Sequence, residues 1–243
     1  MKLTGNSILI TGGATGIGLA LAHSFLKLGN TVIVVGRSRK SLEKAVAECP
    51  GLIPLRCDVT DHEARRAMIS WLTEHHPACN VLVNNAGIQK APNFAVGDID
   101  AASIAAEIGT NLVAPILLGA AMKPLLETKP SAIINITSGL AFCPLALMPV
   151  YCATKAALHS FTNSLRHQLR ATSIEVFEIA PPIVDTQLGS EHRAVRPGTV
   201  LMSPAEFAQE AIEGLAAGQP EILVGAAKQM RQAGDSMFSL MNQ

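Results

Sequence analysis

Charged side chains make up only 16% of this 243-residue sequence, and 19 lysines and arginines balance 19 aspartates and glutamates to a formal net charge of zero. There is no basic run of the kind that neutralises a phosphate backbone, which argues against nucleic-acid binding. Aromatic residues are equally sparse at 4%, with one tryptophan and one tyrosine. With 49% apolar residues the chain is too hydrophobic to remain disordered. Its core must be built from Ala, Val, Ile and Leu, which suits a buried parallel sheet covered by helices. Cysteines occur at 49, 57, 79, 143 and 152, an odd number without C-x-x-C spacing. They read as buried thiols in a reducing compartment, and no metal-ligand cluster is visible. No apolar run reaches the roughly 18 residues that span a bilayer. The longest candidate, Leu112 to Leu126, is interrupted by Pro115, Lys123 and Pro124.

The N-terminus imitates a signal peptide, with Lys2, an uncharged stretch and Ala20-Leu21-Ala22 at its end. Gly12, Gly13, Gly16 and Gly18 interrupt that stretch, so a strand, turn and helix are expected there and a cytoplasmic location follows. Without linker, repeat or low-complexity segment, residues 1–243 read as one domain.

What is present is alternation. Strands are predicted at 7–11, 31–35, 52–56, 80–84, 132–137, 174–180 and 221–224. Helices are predicted at 16–28, 39–48, 61–76, 99–126 (bent at Pro115), 150–171 and 203–217, with a helix-like tail through Met241. This implies a doubly wound α/β domain of the Rossmann type, with about seven parallel strands and helices on both faces. Alanine- and leucine-rich helices at 99–126 and 150–171, apolar on more than one face, point to a homo-oligomer, dimer or tetramer.

Two constellations carry chemistry. The first strand runs into Thr11-Gly12-Gly13-Ala14-Thr15-Gly16-Ile17-Gly18, a spacing variant of the dinucleotide fingerprint. Gly12 would permit the turn, Gly16 the approach of a pyrophosphate, and Gly18 the packing of helix on sheet. An acid at the end of the second strand would select NAD. Here Gly36 is followed by Arg37 and Ser38, which favours the 2′-phosphate of NADP. The second set is Asn111, Ser138, Tyr151 and Lys155. Tyr151 and Lys155, four residues apart on a helix, share a face, so the ammonium is expected to lower the tyrosine pKa toward useful acid–base chemistry. Ser138 directly follows the fifth strand and could donate to a substrate oxygen.

On TGGATGIG at 11–18, Asp58-Val59, NNAG at 84–87, Asn111, Ser138 and YCATK at 151–155, the sequence resembles the short-chain dehydrogenase/reductase family over essentially its whole length. The resemblance implies an NADP(H)-dependent oxidoreductase acting on a carbonyl/alcohol pair. Tyr151 would be the general acid/base, Ser138 would orient the carbonyl, and Lys155 would also hold the nicotinamide ribose. Asn111 would hold a relay water. Gly12, Thr15, Gly16, Ile17 and Gly18 would hold the pyrophosphate, Asp58 and Val59 would flank the adenine, and Asn85, Ala86 and Gly87 would line the ribose. Pro181, Ile183 and Thr186 would meet the carboxamide. One departure stands out: Pro182 occupies the place of the family's usual glycine. APPIVDT, SGLAF and PVYCATKAALHS resemble a branch linked to D-alanine esterification of teichoic acids.

The uncharged segment between Ser138 and Tyr151 reads either as buried packing or as the wall of an apolar substrate pocket. Residues 187–200 read as a lid carrying His192, Arg193 and Arg196, which read as solvated or as partners for an acidic substrate group. A non-catalytic NADP-binding regulatory or cell-envelope accessory protein is the alternative, though a pure binder has no need of all four catalytic residues. Hydrolysis at Ser138 lacks a G-x-S-x-G elbow.

Overall fold

The computed structural model describes residues 1–97, 99–190 and 201–243. Seven parallel strands form one sheet in the order β3-β2-β1-β4-β5-β6-β7. These are β1 Ser7–Thr11, β2 Thr31–Gly36, β3 Ile53–Arg56, β4 Cys79–Asn84, β5 Ser131–Ile136, β6 Ile174–Ala180 and β7 Glu221–Leu223. The order reverses between β1 and β4, and the adjoining carboxyl ends form the crevice where such sheets bind ligands.

The runs are apolar on both sides because helices cover both faces. Ile8 and Ile10 join Phe25 of α1 (Gly16–Lys27) and Phe207 of α7 (Pro204–Ala216) in one core layer. Leu9 joins Leu72 of α3 (His62–His75) and Leu118 of α5 (Ala114–Leu126) in the other. Period-two alternation thus sends successive residues of a single strand to opposite cores. α2 (Arg39–Glu48) starts from the Ser38 side chain, which accepts from the Ser41 amide, and α7 has the full Ser203/Glu206 capping box. The glycine-rich N-terminal stretch folds as β1 and α1. All five cysteines are free and buried, and burial pushes Cys57 and Cys79 up to about 11.

The 99–126 segment corrects an expectation. It is α4 (Ala101–Ile108), a π-helical turn (Gly109–Val113) and α5 in continuous succession. The irregularity therefore precedes Pro115. Pro115 sits in the first turn of α5, where the missing N–H follows the π turn and the ring does no damage. Because helix runs unbroken through Ala101–Leu126, with a mean hydropathy of 1.6, it is long and apolar enough by length and composition to cross a membrane. In the fold its Leu118, Met122 and Leu126 pack in the core beside α3 and the sheet. The 150–171 helix is α6, Pro149–Gln168, and the C-terminal segment is α8 (Ala227–Ala233), a short 3-10 turn and α9 (Phe238–Met241).

Candidate active site

The glycine turn is shaped by contacts that leave no space for side chains. Gly12 and Gly16 have φ of +63° and +54°, a left-handed conformation that L side chains avoid. A Cβ on Gly18 would lie 2.3 Å from the Gly12 carbonyl oxygen and 2.4 Å from Asn85 Nδ2. A side chain there would force α1 away from the turn, in line with the packing role expected of it. Gly13, to which no role was given, is as confined: its Cβ would stand 2.8 Å from Val34 Cγ1.

Thr11 and Asn85 bind the turn to the end of β4. The Asn85 and Ala86 amides both donate to Thr11 Oγ1 at 3.0 Å. The Asn85 side chain donates to the Thr11 and Gly12 carbonyls at 2.9 and 3.1 Å. Asn85 therefore holds the turn in shape, and Thr11 is a site residue that sequence reasoning passed over. Its position as the last strand residue before the first glycine was the available signal.

Thr15, Gly16, Ile17 and Gly18 line one end of a cleft whose other end reaches Tyr151, Lys155, Pro181 and Thr186. An adjoining depression is lined by Arg37, Ser38, Asp58, Val59, Ala86 and Gly87. Arg37 Nη1 lies 3.9 Å from Asp58 Oδ2, both side chains being well exposed. Burial alone would raise the Asp58 carboxyl, but bonds from the Thr60 hydroxyl and amide, with the Arg37 and Arg65 charges, hold it below its ordinary value. The glycine cradle and the polar depression beside it fit a dinucleotide.

The four residues of the second set meet at the carboxyl edge of the sheet. Ser138 leaves β5 and caps a 3-10 turn, its hydroxyl accepting from the Leu140 amide at 3.1 Å. Tyr151 and Lys155 are both buried on α6, with the Lys155 ammonium 5.6 Å from the centre of the tyrosine ring. That ammonium donates to the Ile136 carbonyl at 2.8 Å, and burial pushes it down to about 8. Here the expected electrostatics are corrected. Burial pushes the Tyr151 hydroxyl up rather than down, with Cys152 and Glu107 adding to the rise and a bond with Ser138 opposing it. Both groups lie away from water, and burial disfavours the charged form of each.

Asn111 sits within the π turn, fully buried, and its side chain both donates to the Ile88 carbonyl (2.8 Å) and accepts from the Ile88 amide (2.9 Å). One helical turn earlier the buried Glu107 accepts from the Lys90 amide at 3.1 Å, and burial raises its carboxyl. Together they fix the 88–90 segment beside the cleft. From it the Gln89 side chain reaches Met148 Sδ and abuts Gly189. Leu140 and Leu145 pack with Met148, Tyr151 and Cys152, so part of the uncharged segment packs against the chain's one tyrosine.

The Pro181-Pro182 turn is pinned at both ends: the Gly139 amide donates to the Pro181 carbonyl (2.9 Å) and the Asp185 amide to the Met202 carbonyl (2.8 Å). Thr186 faces the cleft, whereas the exposed Ile183 side chain lines a separate depression with Pro182 and Met202. Of the expected lid, Gln187–Ser190 is described; His192, Arg193 and Arg196 lie outside the described residues.

A sheet of this order, with a glycine turn after β1 and a Ser-Tyr-Lys set at its carboxyl edge, defines a dinucleotide-dependent oxidoreductase fold. The family model for short chain dehydrogenases matches residues 6–196, and the chain belongs to that family. Over 248 aligned residues it is 47% identical to the uncharacterized oxidoreductase DltE of Bacillus subtilis (strain 168), covering 100% of this chain and 98% of that one. This match places it in the branch that its APPIVDT segment resembles. Among solved structures, it is similar to a short chain dehydrogenase from Burkholderia cenocepacia J2315 in complex with NADP (TM-score 0.83, 25% identity, 96% of this chain and 94% of that one). A short chain dehydrogenase/reductase from Burkholderia phymatum in complex with NAD shares the fold (TM-score 0.86, 20% identity, 100% and 97%).

Proposed function

We propose that this protein is an NADP(H)-dependent carbonyl reductase, interconverting a carbonyl and an alcohol with Tyr151 as the proton donor and acceptor. The observation that carries the reading is the convergence of Ser138, Tyr151 and Lys155 at the end of the cleft that begins in the glycine turn. A nicotinamide bound there supplies or accepts a hydride. Ser138 holds the substrate oxygen, and the Tyr151 hydroxyl gives it a proton as negative charge develops. Lys155, still protonated at neutral pH, stabilises the phenolate that remains. Burial of Tyr151 keeps its proton in place until a substrate oxygen accepts it.

The NADP preference rests on Gly36 at the end of β2, where an acid would repel a 2′-phosphate, and on Arg37 and Ser38 beside the depression. The homo-oligomer reading rests on Ile108, Val113 and Leu117, exposed apolar residues of the α4–α5 segment.

The test is oxidation of NADPH and of NADH against a panel of aldehydes, ketones, diketones and quinones, with Tyr151→Phe in parallel. Consumption of NADPH by the native protein and loss of turnover in the variant is the expected result. Tight NADPH binding with turnover of nothing would favour a binding module instead.

A further inference from the structure

Toward its carboxyl edge, the face of the sheet beneath α6 changes from apolar to polar. On β6, Val176 belongs to the core layer, but two residues on, Glu178 is a fully buried carboxylate. Glu178 Oε1 accepts from the Thr137 hydroxyl at 2.7 Å. His159 Nδ1 lies 2.8 and 3.0 Å from its two oxygens.

The direction of these bonds is set from outside the pair. Arg166 can only donate, and its Nη1 is 2.7 Å from Asn163 Oδ1, so the Asn163 amide nitrogen faces His159 Nε2, at 3.1 Å. Nε2 therefore accepts, and the ring proton is on Nδ1, aimed at Glu178. Arg166 is itself fixed by bonds to the Val176 and Pro220 carbonyls, both 2.8 Å. His159, Glu178 and Glu221 lie close enough to share a cation. However, Arg231 Nε is 3.2 Å from Glu221 and the imidazole is committed at both nitrogens, so hydrogen bonds take up these atoms.

The two donors to Glu178 belong to the two elements that present the catalytic groups. Thr137 directly precedes Ser138. His159 follows Lys155 by four residues and Tyr151 by eight, on the same face of α6. We propose that Glu178 is the positioning residue of this site, its carboxylate tying the end of β5 that presents Ser138 to the face of α6 that presents Tyr151 and Lys155. The inference rests on the catalytic reading above for the roles of those three residues. It adds that their mutual placement is set from beneath, by a group that never touches substrate. A buried carboxylate costs free energy unless bonded, so it holds its donors firmly and tolerates neither their loss nor its own neutralisation.

Glu178→Gln keeps the shape but must turn one amide hydrogen toward a donor. Thr137→Val removes the hydroxyl, and Thr137→Ser returns it. His159→Leu removes the ring donor, and His159→Asn restores an N–H near the place of Nδ1. Two readouts apply: NADPH-dependent turnover of the best panel diketone, normalised to NADPH-binding sites, and the 13Cζ resonance of labelled tyrosine, a single line because Tyr151 is the only tyrosine. The expected result is a kcat lowered tenfold or more in Glu178→Gln, Thr137→Val and His159→Leu, with KM for NADPH within about threefold. The tyrosine line should be displaced in all three, and Thr137→Ser and His159→Asn should recover both readouts. Variants that melt earlier yet keep kcat per site and an unmoved tyrosine line would overturn the proposal. If the native protein reduces no panel compound, it is the reductase reading that has failed. The tyrosine line alone then decides: displaced in Glu178→Gln, positioning holds; unmoved, it falls.

Discussion

Replacing Gly18 with alanine sets two effects of known sign against each other. In the interior of an isolated helix the change stabilises by about 1 kcal/mol, because glycine is the poorer helix former. Here the new methyl would stand 2.3 Å from the Gly12 carbonyl oxygen and 2.4 Å from Asn85 Nδ2. Neither neighbour can swing aside, since Asn85 donates to both the Thr11 and Gly12 carbonyls. Overpacking of this kind costs about 1–3 kcal/mol, and disturbing the two Asn85 bonds adds about 1 kcal/mol. The clash outweighs the propensity gain, leaving a net loss of about 2 kcal/mol. In a chain of this size that lowers Tm by about 4–8 °C. Because the amides of the turn move with Gly12, NADPH affinity should fall by about tenfold or more. Gly109→Ala is the control. Gly109 is right-handed helical and its Cβ would meet nothing nearer than Thr60 Cγ2 at 3.9 Å, so its Tm should hold or rise and its NADPH affinity should stay. Calorimetry and a fluorescence titration with NADPH decide the matter. A Gly18→Ala protein that matches the native one in both would refute the close-approach argument.

Two further outcomes follow from the charges at the site. Arg37→Ala should raise KM for NADPH by ten- to a hundredfold, the worth of a charge-assisted bond to phosphate at about 1.5–3 kcal/mol, while KM for NADH moves little; equal losses for both cofactors would show that Arg37 does not read the phosphate. Lys155, held down to about 8 from 10.5, gives up its proton in the folded chain before the unfolded chain does. Stability from this group therefore rises between about pH 8 and 10.5, and below that window its burial costs a constant amount of about 3 kcal/mol. Lys155→Met should be the more stable protein at pH 7, with an advantage that vanishes toward pH 10.5. The raised thiols and Tyr151 titrate the other way in both proteins and cancel in the difference, so denaturant melts that differ by the same amount at every pH would contradict the argument.

The sequence made the strands legible because their β-branched runs are bounded by turn residues, and all seven start within one residue of expectation. The glycine turn and the Ser-Tyr-Lys set were legible for a similar reason: each depends on spacing within one or two neighbouring elements. What sequence concealed was long-range. Thr137, His159 and Glu178 sit on β5's end, α6 and β6, and no local periodicity marks a carboxylate that will be buried beneath a helix 19 residues away. The rise in Tyr151's pKa was concealed too, because the i,i+4 spacing gives the nearness of Lys155 but not the depth of burial.

The π turn at Gly109–Val113 inserts one residue into what would otherwise be a uniform helix. Each helical residue advances the face by about 100°, so α4 and α5 are out of phase with one another although the backbone never breaks. Glu107 and Asn111 can thereby face Ile88 and Lys90 while Leu118 and Met122 still face the sheet. The segment should accordingly be intolerant of length changes in a polar sense: a single-residue deletion within 109–113 would convert the turn to ordinary helix and swing one half against the other. Either the clamp on the 88–90 segment or the core contacts of α5 would be lost, whereas substitution at the exposed Val113 of the same turn need cost neither.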